Sequence, residues 1–143
     1  LAPGTGDPAG FRLDDCNTQR NLSEAGRAQA RKLGERLREA GIGEARVYSS
    51  RWCRALETAE LLDLGPVEAL PAIDSFFQQR VLEPERTRRT RQFLVDLPPG
   101  LPVILVTHQV NVAALTGEFT GSGTGVVARI LPDGRLESLG LLR

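Results

Sequence analysis

Residues 45–62 read Ala-Arg-Val-Tyr-Ser-Ser-Arg-Trp-Cys-Arg-Ala-Leu-Glu-Thr-Ala-Glu-Leu-Leu, and this stretch indicates the fold class because a strand pattern leads directly into a helix pattern. Residues 45–48 favour a short strand, and from residue 52 to 62 the apolar side chains recur at helical spacing. Residues 103–107 read Val-Ile-Leu-Val-Thr, a continuous apolar run that is typical of a strand covered on both faces of a parallel sheet. We expect this second strand to be the central one.

The rest of the chain alternates between helix and strand patterns. Further helices are predicted at 23–40, 85–97 and 110–115, and a further short strand at 67–70. Near the carboxyl terminus the pair Asp133-Gly134 separates two strand patterns, which is a strong hairpin signal. The alternation predicts an α/β fold, a three-layer α/β/α sandwich with a mostly parallel central sheet and a C-terminal antiparallel hairpin at one edge.

Size and charge restrict the classes of protein that this chain can represent. Its 143 residues suffice for one domain with a hydrophobic core. Eighteen basic residues balance eighteen acidic ones, so no net field would hold the chain on nucleic acid or on an anionic membrane, and any anion site must be local. No window approaches the roughly 20 consecutive apolar residues of a membrane-spanning helix. We therefore expect no nucleic-acid partner and no membrane span, whereas the oligomeric state is open.

Two cysteines and one histidine are the residues that could suggest a metal site. Cys16 and Cys53 fit none of the usual zinc spacings, and His108 cannot complete a cluster with them. We therefore predict no metal and no cofactor. The two cysteines could form one disulfide in an oxidising compartment or remain two free thiols, and the residue pattern leaves both alternatives open.

Arg54 lies in the first turn of the helix predicted after strand 45–48. In open α/β sheets ligands bind beyond the carboxyl ends of the strands, and a helix N-terminus offers N–H groups and partial positive charge to an anion. A guanidinium there adds a forked, charge-assisted contact to phosphate oxygens. The alternative interpretation is that Arg54 only extends over a solvated helix face.

His108 directly follows the apolar strand 103–107. A histidine in this place can donate a hydrogen bond to a phosphate oxygen, stabilise charge in a transition state or move a proton near neutral pH. The alternative is a structural histidine whose hydrogen bonds are satisfied inside the fold. The position of His108 alone does not decide between the catalytic and the structural interpretation.

Three patterns taken together resemble the histidine phosphatase (phosphoglycerate mutase-like) superfamily. They are Ser-Ser-x-x-x-Arg-Ala-x-x-Thr-Ala at 49–59, Val-Thr-His at 106–108 and Leu-Ser-x-x-Gly-x-x-x-Ala at 22–30. Residues 14–23 are similar to a bacterial branch of this superfamily, some of whose members look like secreted envelope proteins. The resemblance implies hydrolysis of a small phosphate ester through a phosphohistidine, and it places this chain in a periplasmic or secreted setting, with a cytoplasmic one as the alternative.

The resemblance also assigns roles to residues of the phosphate pocket. Arg54 matches the second arginine of the superfamily and His108 its second histidine, whereas the first strand and its Arg-His nucleophile motif do not occur in this sequence. We therefore expect residues 1–143 to form a single histidine-phosphatase-like domain without its first strand. The nucleophile is expected upstream of Leu1, and residues 1–143 by themselves are expected to be inactive, since His108 cannot be both nucleophile and its own electrostatic partner.

Other roles implied by the resemblance are less specific. The general acid is expected after the helix that carries Arg54, at Asp74, with Glu83 and Glu85 as further candidates. The expected substrate-binding residues are Arg20, Asn21 and Gln109. For Arg20 and Asn21 the alternative is a structural role, as a loop anchor and as a neighbour of a helix cap.

An envelope location would also favour a bond between Cys16 and Cys53, which would tie the loop of residues 1–16 to the helix that carries Arg54. A second function class remains open beside the phosphatase. A descendant of the same fold without the nucleophile would keep the phosphate pocket as a binding or scaffold site.

Overall fold

The computed structural model describes residues 1–143 and divides them into two compact units. The first unit comprises Leu1–Pro71 and Leu101–Val106, and the second comprises Ala72–Gly100 and Thr107–Arg143. None of the helices has both the length and the apolar character needed to cross a membrane. The single domain predicted above stays a prediction.

The first unit contains a three-stranded parallel sheet and two α-helices. Its elements are α1 (Glu24–Glu39), β1 (Arg46–Ser49), α2 (Cys53–Leu62), β2 (Val67–Ala69) and β3 (Val103–Val106), preceded by a 3-10 turn at Cys16–Thr18. The strand order is β2-β1-β3, and Val47 of β1 pairs with Val67 on one side and with Ile104 on the other. The strands and helices predicted in this unit are confirmed to within one or two residues.

The position of β3 corrects one expectation. The middle strand is β1, and β3 lies at an end of the strand order, so the prediction of a central strand at residues 103–107 is wrong for this sheet. Val47 and Ser49 of β1 are buried, whereas all four residues of β3 are partly exposed. An apolar run indicates that a strand prefers to be buried, but it does not indicate how many strands lie beside it. The strand order of the sheet could therefore not be predicted from this run.

Helix α1 begins as the sequence predicts and packs closely on α2. The Ser23 side chain caps the helix by accepting a hydrogen bond from the Gly26 N–H at 3.0 Å. Small residues line its buried face, Gly26, Ala30 and Gly34. A Cβ atom on Gly34 would lie 2.2 Å from the backbone oxygen of Leu62, at the end of α2. Only glycine therefore permits this approach of the two helices.

Gly34→Ala is expected to lower the free energy of unfolding by about 1–2 kcal/mol, because overpacking against a backbone carbonyl outweighs the helix propensity that alanine adds. Urea unfolding followed by circular dichroism measures the change. Gly43→Ala is the matched control, since a Cβ atom at Gly43 meets nothing within 4 Å. Equal stability of the two variants would contradict the close helix contact.

The core of the first unit lies between β1 and these helices. Its buried apolar residues are Ala45, Val47, Ala59, Leu62 and Leu64. Partly buried side chains pack around them, Leu33 and Leu37 of α1 among them. This packing fixes the start of α2 relative to the end of β1, and the candidate site lies at that junction.

The second unit contains two helices and a hairpin. Its elements are α3 (Glu83–Asp96), α4 (Gln109–Thr116), β4 (Gly125–Ile130) and β5 (Leu136–Leu142), with 3-10 turns at Pro71–Ile73, where the two units meet along the chain, and at Arg80–Leu82. Strands β4 and β5 form a separate antiparallel sheet with an irregularity between Val127 and Ala128. Gly134 turns the hairpin with φ 86°, as the Asp-Gly pair predicts. The α/β class, the parallel sheet and the antiparallel hairpin are confirmed.

Candidate functional site

The turn between β1 and α2 places Arg54 at the start of a helix. The hydroxyl oxygen of Ser50 accepts a hydrogen bond from the Trp52 N–H at 3.1 Å, and this local contact bends the chain out of the strand. Trp52 is the N-cap residue, and α2 begins at Cys53. Arg54 is therefore the second residue of the helix, as predicted, where free N–H groups and the helix dipole favour an anion.

A carboxylate from the N-terminal loop meets Arg54. The Nη1 atom of Arg54 lies 3.4 Å from Oδ1 of Asp7, and the same oxygen accepts a hydrogen bond from Nε1 of Trp52 at 3.1 Å. The side chains of Arg54 and Asp7 are only 17% and 11% exposed. The ring of Trp52 stacks on Phe11 with a centroid distance of 5.3 Å, which packs the indole that orients Asp7.

Burial and two neighbouring charged residues act on the guanidinium of Arg54. Burial lowers the pKa of Arg54, the neighbouring charge of Arg20 lowers this pKa further, and Asp7 acts in the opposite direction. A guanidinium remains protonated near neutral pH in spite of such effects. Two guanidinium groups and one carboxylate thus lie together in a partly buried cluster, and the guanidinium groups are suited to bind an anionic ligand.

Arg20 and Asn21 hold the backbone of the N-terminal loop. Arg20 donates from Nε to the oxygen of Gly6 at 2.7 Å and from Nη1 to the oxygen of Pro3 at 2.7 Å. Asn21 donates from Nδ2 to the oxygen of Cys16 at 2.9 Å. These contacts fit the alternative interpretation of Arg20 and Asn21, in which the two residues have a structural role. Substrate binding by Arg20 and Asn21 stays a prediction. By anchoring the loop, Arg20 also holds the segment that contains Asp7.

A disulfide bond and a buried glutamine fasten the same loop to α2. Cys16 and Cys53 are bonded, with their Cα atoms 5.8 Å apart, so the pairing that an envelope location favours is present. Gln19 is 7% exposed and accepts a hydrogen bond on Oε1 from the Cys53 N–H at 2.9 Å, while its Nε2 donates to the oxygens of Arg12 and Leu13. The loop is therefore joined covalently and by hydrogen bonds to the residue that precedes Arg54.

The other predicted site residues belong to the second unit. His108 is the N-cap residue of α4 and follows the end of β3 with only Thr107 between them, and Gln109 is the first residue of the helix. Gln109 donates from Nε2 to the oxygen of Thr120 at 2.9 Å. Asp74 is 1% exposed, and its backbone oxygen accepts from Nδ2 of the buried Asn111 at 2.9 Å. The catalytic and binding roles of His108, Asp74 and Gln109 stay predictions.

Two further acids were candidates for proton transfer. Glu85 is exposed and accepts hydrogen bonds from Arg88 and Arg89, which lower its pKa to about 2, so this carboxyl is ionised near neutral pH and is poorly suited as an acid. Glu83 accepts a hydrogen bond from the Thr87 hydroxyl at 3.1 Å within α3. Neither contact favours a catalytic role.

Residues 15–74 match the family described as the histidine phosphatase superfamily (branch 1). The structure of the protein histidine phosphatase SixA complexed with tungstate is 21% identical and has a TM-score of 0.61, over 96% of this chain and 91% of that chain. The chain has the histidine phosphatase fold. The resemblance drawn from its sequence motifs is thereby confirmed.

Two more solved structures share the histidine phosphatase fold of this chain to a smaller extent. TTHB049 from Thermus thermophilus is 22% identical with a TM-score of 0.54, covering 74% of this chain and 77% of that chain. Mycobacterial hydrolase 1 is 22% identical with a TM-score of 0.51, covering 66% of this chain and 64% of that chain. No curated protein matches the sequence.

The histidine phosphatase motifs identified Arg54, but two residues of the described cluster were not found from the sequence. Asp7 lies in a Gly- and Pro-rich loop without periodicity, and Gln19 precedes Arg20 without any motif. Asp7 contacts a residue 47 positions away in the chain, and Gln19 contacts one 34 positions away. A local sequence pattern does not indicate contacts over such separations. The one available signal for Gln19 was its place beside Arg20 in the segment that resembles the bacterial branch.

Proposed function

We propose that this protein hydrolyses phosphate monoesters through a phosphohistidine intermediate, with no metal. The superfamily match and the shared fold support a phosphatase-type function in general. The observation that carries the finer proposal is the partly buried guanidinium of Arg54 at the start of α2, in a cluster with the guanidinium of Arg20 and the carboxylate of Asp7. Such a cluster favours a phosphoryl group, whose negative charge it would compensate.

Each residue of the predicted site has a role in this proposal, with Asp74 as the proposed general acid for the leaving group. Arg54 binds two oxygens of the phosphoryl group, and His108 donates a hydrogen bond to an oxygen whose charge grows in the transition state. Gln109, Arg20 and Asn21 contact the remainder of the substrate. His108 is the only histidine among residues 1–143, so the nucleophilic histidine is proposed to come from outside them, and residues 1–143 by themselves are proposed to be inactive.

The reaction then has two displacement steps at phosphorus. In the first, the nucleophilic imidazole nitrogen forms a P–N bond while the P–O bond to the leaving group breaks, and the leaving oxygen takes the electron pair and a proton from an acid. In the second, water attacks the phosphorus and gives a proton to the conjugate base of that acid, the P–N bond breaks with its electron pair returning to the imidazole, and inorganic phosphate leaves. Arg54 stabilises both steps, since the phosphoryl oxygens carry negative charge throughout.

His108→Ala is expected to lower kcat/KM for an aryl phosphate by about 10²- to 10⁴-fold in the full-length gene product, measured with a metal chelator present. His108→Asn is the companion variant, because an amide can still donate one hydrogen bond and should retain more activity. Acid quenching during turnover should trap an acid-labile phosphoenzyme. Full activity of His108→Ala would overturn the assignment of His108.

The alternative of a non-catalytic phosphate-binding descendant predicts a different result. Such a protein would bind inorganic phosphate, in titration calorimetry, with an affinity that Arg54→Ala removes, yet would turn over no phosphate ester. Absence of turnover by the full-length product together with this binding would favour the alternative over the phosphatase.

A periplasmic or secreted location remains part of the proposal. The bond between Cys16 and Cys53 supports an oxidising compartment over a cytoplasmic one, since reducing thiols keep most cytosolic cysteines unpaired. Thiol labelling of the protein taken directly from cells tests this location, and two free thiols would speak for the cytoplasmic alternative.

A further inference from the structure

The carboxyl group of Asp7 is held at the phosphate-binding guanidinium by contacts that the proposed function does not use. Its Oδ1 lies 3.4 Å from Nη1 of Arg54 and accepts from Nε1 of Trp52 at 3.1 Å. Trp52 is 9% exposed and its ring stacks on Phe11, and the Asp7 side chain is 11% exposed. The carboxyl is thus oriented by a rigid aromatic pair, and a small part of its surface is open to a ligand.

The loop that contains Asp7 is fastened on both sides of it. Arg20 bonds the oxygens of Pro3 and Gly6, directly before Asp7, and the Cys16–Cys53 bond fixes the end of the loop. Functional groups held in this way are preorganised, because little entropy is lost when they act.

A phosphate ester bound to Arg54 would bring its negative oxygens close to the Asp7 carboxylate. Two anionic groups in a partly buried place repel one another, and a proton shared between them would relieve this repulsion while Arg54 stays beside both. That proton is then located beside the phosphoryl group, where a leaving oxygen needs it. A carboxyl at this place is therefore suited to transfer a proton to the leaving group.

We propose that Asp7, rather than Asp74, is the proton donor to the leaving group in the phosphatase reaction, an assignment that rests on the proposed function. In the first step the P–O bond breaks, its electron pair stays on the leaving oxygen, and the carboxyl proton of Asp7 passes to that oxygen as the alcohol departs. In the second step the Asp7 carboxylate takes a proton from the attacking water, which restores the acid as the P–N bond breaks.

The test compares substrates that differ in how much their leaving group needs a proton. In the full-length protein, Asp7→Asn is expected to lower kcat/KM for an alkyl phosphate by about 10²- to 10³-fold, because the alkoxide is a poor leaving group. With dinitrophenyl phosphate, whose phenolate leaves unprotonated, the same variant should lose only a few-fold. The asparagine oxygen can still accept from Trp52, so the fold is retained. Asp14→Asn, an exposed acid in the same loop, is the control and should resemble wild type.

Each outcome separates this assignment from the proposed function. A uniform loss with both substrates would overturn the proton-donor role and make Asp7 a positioning residue for Arg54. An unchanged Asp7→Asn, or a leaving-group-dependent loss in Asp74→Asn instead, would return the role to Asp74. If wild type turns over neither ester, the proposed function itself fails. The alkaline limb of the pH–rate profile, present with the alkyl ester in wild type and lost in Asp7→Asn, is the second readout.

Discussion

Arg54→Ala is expected to lower kcat/KM for an aryl phosphate by about 10³- to 10⁴-fold in the full-length protein, with a rise in the dissociation constant of inorganic phosphate. The guanidinium is largely buried at the start of α2, where it would donate two parallel hydrogen bonds to phosphoryl oxygens. Removing it also leaves Asp7 without its ion-pair partner, so the site would attract phosphate less strongly.

Arg54→Lys separates charge from geometry at this position. Lysine restores the positive charge but cannot form the forked contact, so activity between that of wild type and that of the alanine variant is expected. Arg31→Ala is the control, since Arg31 is an exposed arginine of α1, and it should leave kcat/KM unchanged. If Arg54→Ala retained wild-type turnover while His108→Ala lost it, Arg54 would have to be removed from the phosphate pocket.

Replacing both Cys16 and Cys53 by serine is expected to lower the free energy of unfolding by about 4 kcal/mol. The bond joins residues 37 positions apart. Without this cross-link the unfolded chain gains conformational entropy, which stabilises the unfolded state relative to the folded one. Guanidinium unfolding followed by circular dichroism measures the change. Because the bond also holds the loop that contains Asp7, the variant should lose phosphatase activity even under conditions in which it remains folded.

Reduction of the wild-type protein supplies the control for this variant. A dithiol reductant should shift the unfolding midpoint of wild type towards that of the double-serine protein and leave the double-serine protein unchanged. A double-serine protein as stable as wild type, or a wild type that does not respond to complete reduction, would show that the hydrogen bonds of Gln19 and Arg20 suffice to hold the loop.

Regular elements were predictable because their signals are local. Ser23 caps α1 as expected, the helix after β1 begins at Cys53, and Asp133-Gly134 turns the hairpin. In each case the interaction that begins or ends the element joins residues only a few positions apart. Such an interaction can be predicted from the sequence alone. Strand order was not predictable in this way, and the middle strand proved to be β1 rather than β3.

The candidate site was only partly predictable for the same reason. Arg54 and His108 follow strand ends, so their positions could be derived from strand and helix patterns together with the superfamily motifs. The contacts of Asp7 and Gln19 with the start of α2 cross more than 30 residues of chain. They depend on how the N-terminal loop returns to the helix, and composition does not determine that path.

The sequence by itself determined the α/β class, the position of Arg54 in the first turn of α2 and of His108 at the end of β3, and the likeness to the histidine phosphatases. Only the tertiary structure decided the strand order, the bond between Cys16 and Cys53, and the carboxylate that faces Arg54. The physical reason is the range of the interactions. Helix caps, turns and periodic burial act between near neighbours, whereas the site is completed by contacts that exist only after the loop has closed on the helix.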